Sequence, residues 1–128
     1  MARLTPLEAP DAPLASGNYA QAVKVEGAQT LLFVSGQIPV AAGGGVPSDF
    51  GSQARLVWAN LQAQLRAADM GLDNLVKVTI FLSDRSFSDE NRAIRKAVLG
   101  ARKVALTAII TGIFDSAWLL EIEAVAAK

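Results

Sequence analysis

Leu119-Leu120-Glu121-Ile122-Glu123-Ala124-Val125-Ala126, close to the C-terminal end of the chain, reads as a strand with two unlike faces. Side chains alternate along a strand, so Leu120, Ile122, Ala124 and Ala126 form one uninterrupted apolar row. Leu119, Glu121, Glu123 and Val125 form the other. A strand with one wholly apolar face belongs in the interior of a folded unit. Its second face sets two carboxylates about 7 Å apart, at two residues' rise. Such a pair is either solvated and ordinary, or half-buried and functional, and the strand by itself leaves both readings open.

Working outward, the remaining residues supply partners for that apolar row. Leu75 to Ser83 is a strand that directs Val76, Val78, Ile80 and Leu82 to one side and Lys77 and Thr79 to the other. Thr30 to Ile38 is another, with Leu32, Val34 and Ile38 opposing Leu31, Phe33, Ser35 and Gln37. The glycine in Ser35-Gly36-Gln37 marks either a close approach by another group or a simple strand end before Pro39. Tyr19 to Glu26 and Val104 to Thr111 complete the expected strands. Between them lie two helical patterns. In the first, capped by Ser52 and running to about Met70, Ala54, Val57, Trp58, Leu61, Leu65 and Ala68 recur at helical spacing, and Gly71 stands at the C-terminal left-handed position. The second follows Ser86, with Phe87, Ile94 and Val98 as its buried stripe, and ends at Gly100. Asn91 falls on the same stripe, where an amide is costly unless hydrogen-bonded; bonding to a nearby loop backbone would make it structural. The predicted order is ββαβαββ, an α+β architecture with a mixed sheet and two helices packed on one face. Residues 1–16, with Pro6, Pro10 and Pro13, read as an extended lead-in, and 17–128 as a single domain.

Composition narrows the chemistry. The 128 residues are 52% hydrophobic, 19% charged and only 6% aromatic, so the core must be built from Ala, Val, Leu and Ile. That apolar load is high for a small monomer and points to a subunit interface. Twelve basic and twelve acidic residues cancel, with no run of either sign, which speaks against a nucleic-acid partner. Histidine and cysteine are both absent. Disulfides, the usual zinc sites and histidine-activated nucleophiles are therefore excluded, and neither metal nor cofactor is expected. Catalysis would fall to carboxylates, Lys, Tyr, Ser or backbone dipoles. No long apolar run suggests a signal peptide or membrane span, so a cytoplasmic protein with no membrane partner is the expectation.

Six motifs, in order, resemble the reactive intermediate deaminase family (Rid or YjgF-like, also called endoribonuclease L-PSP-like). They are Gly17-Asn18-Tyr19-Ala20-Gln21-Ala22-Val23, Ser35-Gly36-Gln37-Ile38-Pro39, Gln53-Ala54-Arg55 with Asn60-Leu61, the strand Leu75 to Leu82, Phe87 with Asn91, and Glu121-Ile122-Glu123-Ala124. The resemblance implies a fold like that of chorismate mutase, assembled as a homotrimer with three small-molecule clefts at the subunit boundaries. It also implies hydrolysis of an enamine or imine to a carbonyl compound and ammonia. By the same resemblance Glu121 is the catalytic, water-positioning residue, and Tyr19, Ser35 and Asn91 line the site. One residue departs. The family's carboxylate-gripping arginine lies fifteen residues before the first glutamate of the terminal motif, and that count reaches Leu106, with Ala108 where a cysteine is frequent. Arg102 lies four residues too early. Leucine cannot replace a bidentate guanidinium–carboxylate pair, so Leu106 as a substrate-binding position implies something other than a typical 2-imino acid deaminase. The alternative is a non-catalytic trimer that binds or senses a metabolite. Endoribonuclease activity, also attached to parts of the family, fits poorly with zero net charge and no histidine.

Overall fold

The computed structural model describes all of residues 1–128. The terminal stretch forms strand β6 (Leu120–Ala127), and its alternation holds: Leu120, Ile122, Ala124 and Ala126 are all buried. β6 lies between β3 (Leu31–Gln37) and β4 (Leu75–Leu82), antiparallel to both. β5 (Ala105–Ile110) joins the far edge of β4 in parallel, giving the sheet order β3-β6-β4-β5. Parallel neighbours need a crossover, and α2 (Ser88–Leu99) provides it between β4 and β5. α1 (Phe50–Ala67) connects β3 to β4 in the same way, so both helices cover the apolar side of a mixed sheet. Ala54, Val57, Trp58, Leu61 and Leu65 of α1 pack there with Val78, Ile80, Leu120 and Ile122. Each valine, leucine or isoleucine among them contributes about 1.5–3 kcal/mol when taken fully out of water.

The expected order gains one strand. β1 (Arg3–Leu7) pairs antiparallel with β2 (Ala22–Glu26) in a separate two-stranded sheet, with an Arg3–Glu26 ion pair of 2.8 Å. Pro6 lies within β1. With only one partner strand, the missing Pro6 N–H can be accommodated.

Helix boundaries differ in instructive ways. Asp49, not Ser52, caps α1: its carboxylate accepts the Ser52 amide at 2.9 Å. The left-handed residue after α1 is Asp69 (φ 55°), and Gly71 is extended. Asp84 accepts the Ser86 amide at 2.9 Å and starts a 3₁₀ turn, Arg85–Phe87, that runs into α2. A short aspartate side chain accepts free amides at a helix start as serine does, and it tolerates the left-handed region. Gly100, at φ 61°, ends α2 as read from the sequence.

Two amides fasten α1 to the sheet. Buried Gln53 donates to Pro47 and Ala117 carbonyls at 2.8 and 3.0 Å and accepts the Leu119 amide at 2.8 Å. Asn60 donates to the Ile38 and Val40 carbonyls at 3.0 and 3.1 Å. Gln53 thus fixes the chain where β6 begins, and Asn60 fixes it where β3 ends.

Candidate functional site

The helix-free face of the sheet carries Glu121. Register places Phe81 of β4 beside it and Ile109 of β5 beyond. On the other side, β3 is irregular between Val34 and Gln37, and the Glu121 side chain lies directly over Gly36. A β-carbon at residue 36 would fall 2.7 Å from Glu121 Cδ and 2.9 Å from Cγ and would touch the carboxylate oxygen. Gly36 is therefore the close-approach glycine, and the approaching group is the acid of the terminal strand. Exposed Ser35 lies on the same face. It lines a hollow of about 220 Å³ with Phe33, Lys77, Thr79, Glu123 and Val125. Lys77 Nζ donates to Thr107 Oγ1 across this surface at 2.6 Å. Phe33 is 73% exposed there, and Leu31 and Ile109 are also uncovered.

Tyr19 and Leu106 lie elsewhere. Leu106 pairs with Val78, whose side chain is on the helix-covered face, so within one chain Leu106 and Glu121 are on opposite sides of the sheet. Tyr19 is held against β5 by its neighbours. Asn18 bonds the Gly100 carbonyl, the Ala20 amide donates to Val104 O at 2.8 Å, and Ala20 bridges in parallel to Ala105. The loop preceding it is tied by Glu8, whose carboxylate accepts the amides of Ala15 and Gln21, each at 2.7 Å. Those two hydrogen bonds hold the Glu8 carboxyl below its ordinary pKa. Tyr19, Leu106 and Ala108 then form one wall of a cavity of about 490 Å³ at the edge of β5. Its other wall is α2, through Arg92 and Arg95. A larger depression, about 860 Å³, lies where Met1, Thr30, Asp69 and Lys128 come together and contains none of these residues.

The two arginines are the residues the sequence reading missed. Arg95 is only 6% exposed, and its Nε has no hydrogen-bond partner. Burial lowers its pKa, the nearby Arg92 charge lowers it further, and Tyr19 acts the other way. Its spacing was the available signal: Arg95 follows Asn91 by one helical turn and so falls on the buried stripe. Asn91 is buried as expected, but no loop backbone satisfies it, since its side-chain oxygen lacks a partner within the chain. Arg102 does not stand in for the missing strand arginine. Its guanidinium donates to Asp73 at 2.6 Å and to the Leu99 carbonyl at 3.2 Å, away from the cavity.

The profile of the endoribonuclease L-PSP family matches residues 9–128. The chain belongs to that family, which includes the Rid proteins. A RutC family protein of Pyrococcus horikoshii is 35% identical over 120 residues, covering 92% of this chain and 93% of the relative. The putative reactive intermediate deaminase TdcF of Escherichia coli is 34% identical over 99 residues, 68% of this chain and 74% of TdcF. Among solved structures, the Rid protein YyfB of Yersinia pestis superposes with a TM-score of 0.85 over 98% of both chains at 21% identity, a likeness of fold. TdcF of E. coli with bound serine superposes at 0.69, with 30% identity, over 97% of this chain and 98% of that one. No helix of this chain is long and apolar enough to cross a membrane.

Proposed function

We propose that this Rid-family protein works as a homotrimer with a small-molecule site in the cleft between subunits, where it hydrolyses an enamine or imine metabolite. One observation carries this reading. Glu121 and Ser35 lie on the helix-free face, whereas Tyr19 and Leu106 lie at the β5 edge on the other side. A single ligand meets both groups only where the β5 edge of one chain abuts the open face of the next. The uncovered Leu31, Phe33 and Ile109 are the kind of surface that such an assembly buries.

In this scheme Glu121 orients water and takes its proton as the oxygen bonds the imine carbon. That proton passes to nitrogen to give a carbinolamine, whose hydroxyl then yields its own proton to nitrogen as the C–N bond breaks, so that ammonia leaves with a carbonyl product. Serine bound to E. coli TdcF supports an amino-acid-sized ligand. Leu106 supplies no charge from β5, so a carboxylate on the substrate would have to be held from somewhere other than that strand. The same residue, with Ala108, favours a second reading, a trimer that binds or senses a metabolite without turning it over.

The test generates imines with an amino-acid oxidase and follows ammonia release with wild type, Glu121→Gln and Tyr19→Ala. Both variants should be inactive alone and regain part of the activity when their chains are mixed, because a mixed boundary can carry both intact residues. Activity that never recovers would place the site within one chain. Ligand binding without turnover on any imine would establish the sensor reading, and sedimentation as a monomer would remove the cleft.

A further inference from the structure

We propose that the cavity beside β5 contains an anion subsite in which Arg95, assisted by Arg92, holds a carboxylate of the ligand. The assignment rests on reading that cavity as one wall of the ligand cleft. Its physical basis is a buried cation without a counter-charge. Arg95 is more than nine-tenths buried, its Nε bonds nothing, and it takes part in no ion pair. An isolated buried charge is strongly unfavourable, and a guanidinium cannot escape by releasing its proton at physiological pH. Nothing around it compensates. The ionisable groups facing it are Arg92 and Tyr19, and no carboxylate lines the cavity. Of the two α2 acids, Glu90 lies against Gly51 of α1, and Asp89 is engaged by Arg92 at 3.3 Å.

A negative group entering the cavity would relieve both the missing partner and the Arg92–Arg95 repulsion. The remaining wall selects which anion fits. Leu106 and Ala108 give an apolar lining, where a charge-assisted contact is stronger than in water. The planar guanidinium suits a carboxylate, which it can bind through two parallel hydrogen bonds. A volume of about 490 Å³ is within the range of sites for small metabolites. The ligand class is therefore a small carboxylate gripped from α2. Position 106 on β5, where the resemblance puts the gripping cation, contributes only apolar surface.

The experiment measures binding of 2-oxobutyrate and of its neutral amide by calorimetry and thermal shift. The proteins are the full-length wild type, Arg95→Met, Arg95→Lys, and Arg102→Met as a control for loss of an unrelated surface charge. Wild type should bind the acid and be stabilised by it, and should bind the amide at least tenfold more weakly. Arg95→Met should remain folded with an equal or higher Tm, since it removes an unpaired buried charge, yet lose at least tenfold in affinity for the acid. Arg102→Met should bind like wild type. The proposal is overturned if wild type does not bind the acid, if acid and amide bind alike, or if Arg95→Met binds the acid as wild type does. It is also overturned if both Arg95 variants lower the Tm or dissociate the assembly, which would mark Arg95 as the partner of a carboxylate on a neighbouring chain. Carboxylate binding through Arg95 without turnover would sink the hydrolase reading alone. Turnover that needs Glu121 but not Arg95 would sink the anion site alone.

Discussion

Gly36→Ala separates the positioning of Glu121 from the stability of the strand. The new methyl would lie 2.7 Å from Glu121 Cδ and 2.9 Å from Cγ, well inside the 3.5–4.0 Å of a comfortable carbon contact. Gly36 is not in the left-handed region, so alanine meets no backbone penalty of its own. The obstacle is a flexible side chain, which can swing aside at about 0.5–1.5 kcal/mol of rotamer strain. Against this, a Gly to Ala change at a compatible position stabilises by about 0.4–1 kcal/mol through the unfolded chain. The single variant should therefore change stability by less than about 1 kcal/mol. In a Glu121→Ala background the strain disappears, and the same change should stabilise by about 0.7 kcal/mol, leaving a coupling near 1 kcal/mol. Urea unfolding at fixed protein concentration measures all four proteins of the cycle. Ligand turnover should fall at least about tenfold in Gly36→Ala alone, because a displaced carboxylate no longer meets its water. If Gly36→Ala shifts stability equally with and without Glu121, the two residues are not in contact and the geometry of the site is wrong.

Gln53→Leu keeps the volume of a buried side chain but strands the Leu119 amide and two carbonyls. At about 1–3 kcal/mol for each group that water cannot reach, the loss should be at least about 3 kcal/mol, and an unfolding free energy lowered by less than about a third of that would mean the loops relax freely. Glu8 provides the pH test. Its folded pKa is depressed by the Gln21 and Ala15 amides, so it stabilises the folded loop above the ordinary carboxylate range and loses that effect as pH falls through the lowered value. Amide exchange at Ala15 and Gln21 should therefore be faster in Glu8→Gln at neutral pH. Once differences in intrinsic exchange rate are removed, variant and wild-type protection should converge in acid. Equal protection at neutral pH would show that Glu8 does not organise the segment that carries Tyr19.

What the chain discloses in advance follows from how local each signal is. The parity of β6 is written in consecutive residues, and burial of Leu120, Ile122, Ala124 and Ala126 follows it. Gly36 in an apolar strand is compatible with a close approach or with a simple strand end, and choosing between them, like finding the partner eighty-five residues later, needs the β3–β6 register. The face of Leu106 depends on its parallel pairing with Val78 and not on the sequence around it, which is why it was expected beside Glu121 in one cleft without a statement of which chain supplies each. β1 was hidden by Pro6, because an edge strand and an irregular extended segment share the same composition. Arg95 escaped because a helical stripe is recognised by its apolar members, and a cation on that stripe is legible only once its missing counter-charge can be seen.

That missing counter-charge and the placement of Glu121 bear on the same question. One surface offers an acid laid over a glycine, with Phe81 beside it, and the other offers an unpaired guanidinium under Tyr19. A carboxylate-bearing imine is complementary to both at once, its anion toward Arg95 and its electrophilic carbon toward the water of Glu121. Two carboxylates brought near each other repel, so the ligand's anion must be set apart from Glu121, and opposite faces of neighbouring chains achieve that separation without any extra element. Ligand and assembly are then linked: a molecule that bridges two chains favours the assembled state by mass action, and dilution that separates the chains removes the site. Conversely, the proposed contact would bury Leu31, Phe33 and Ile109, which are exposed on the same open face as Glu121. In the proposed assembly, the high aliphatic content of the chain and the split arrangement of its polar residues would serve one end, with the interface between copies as the wall of the site.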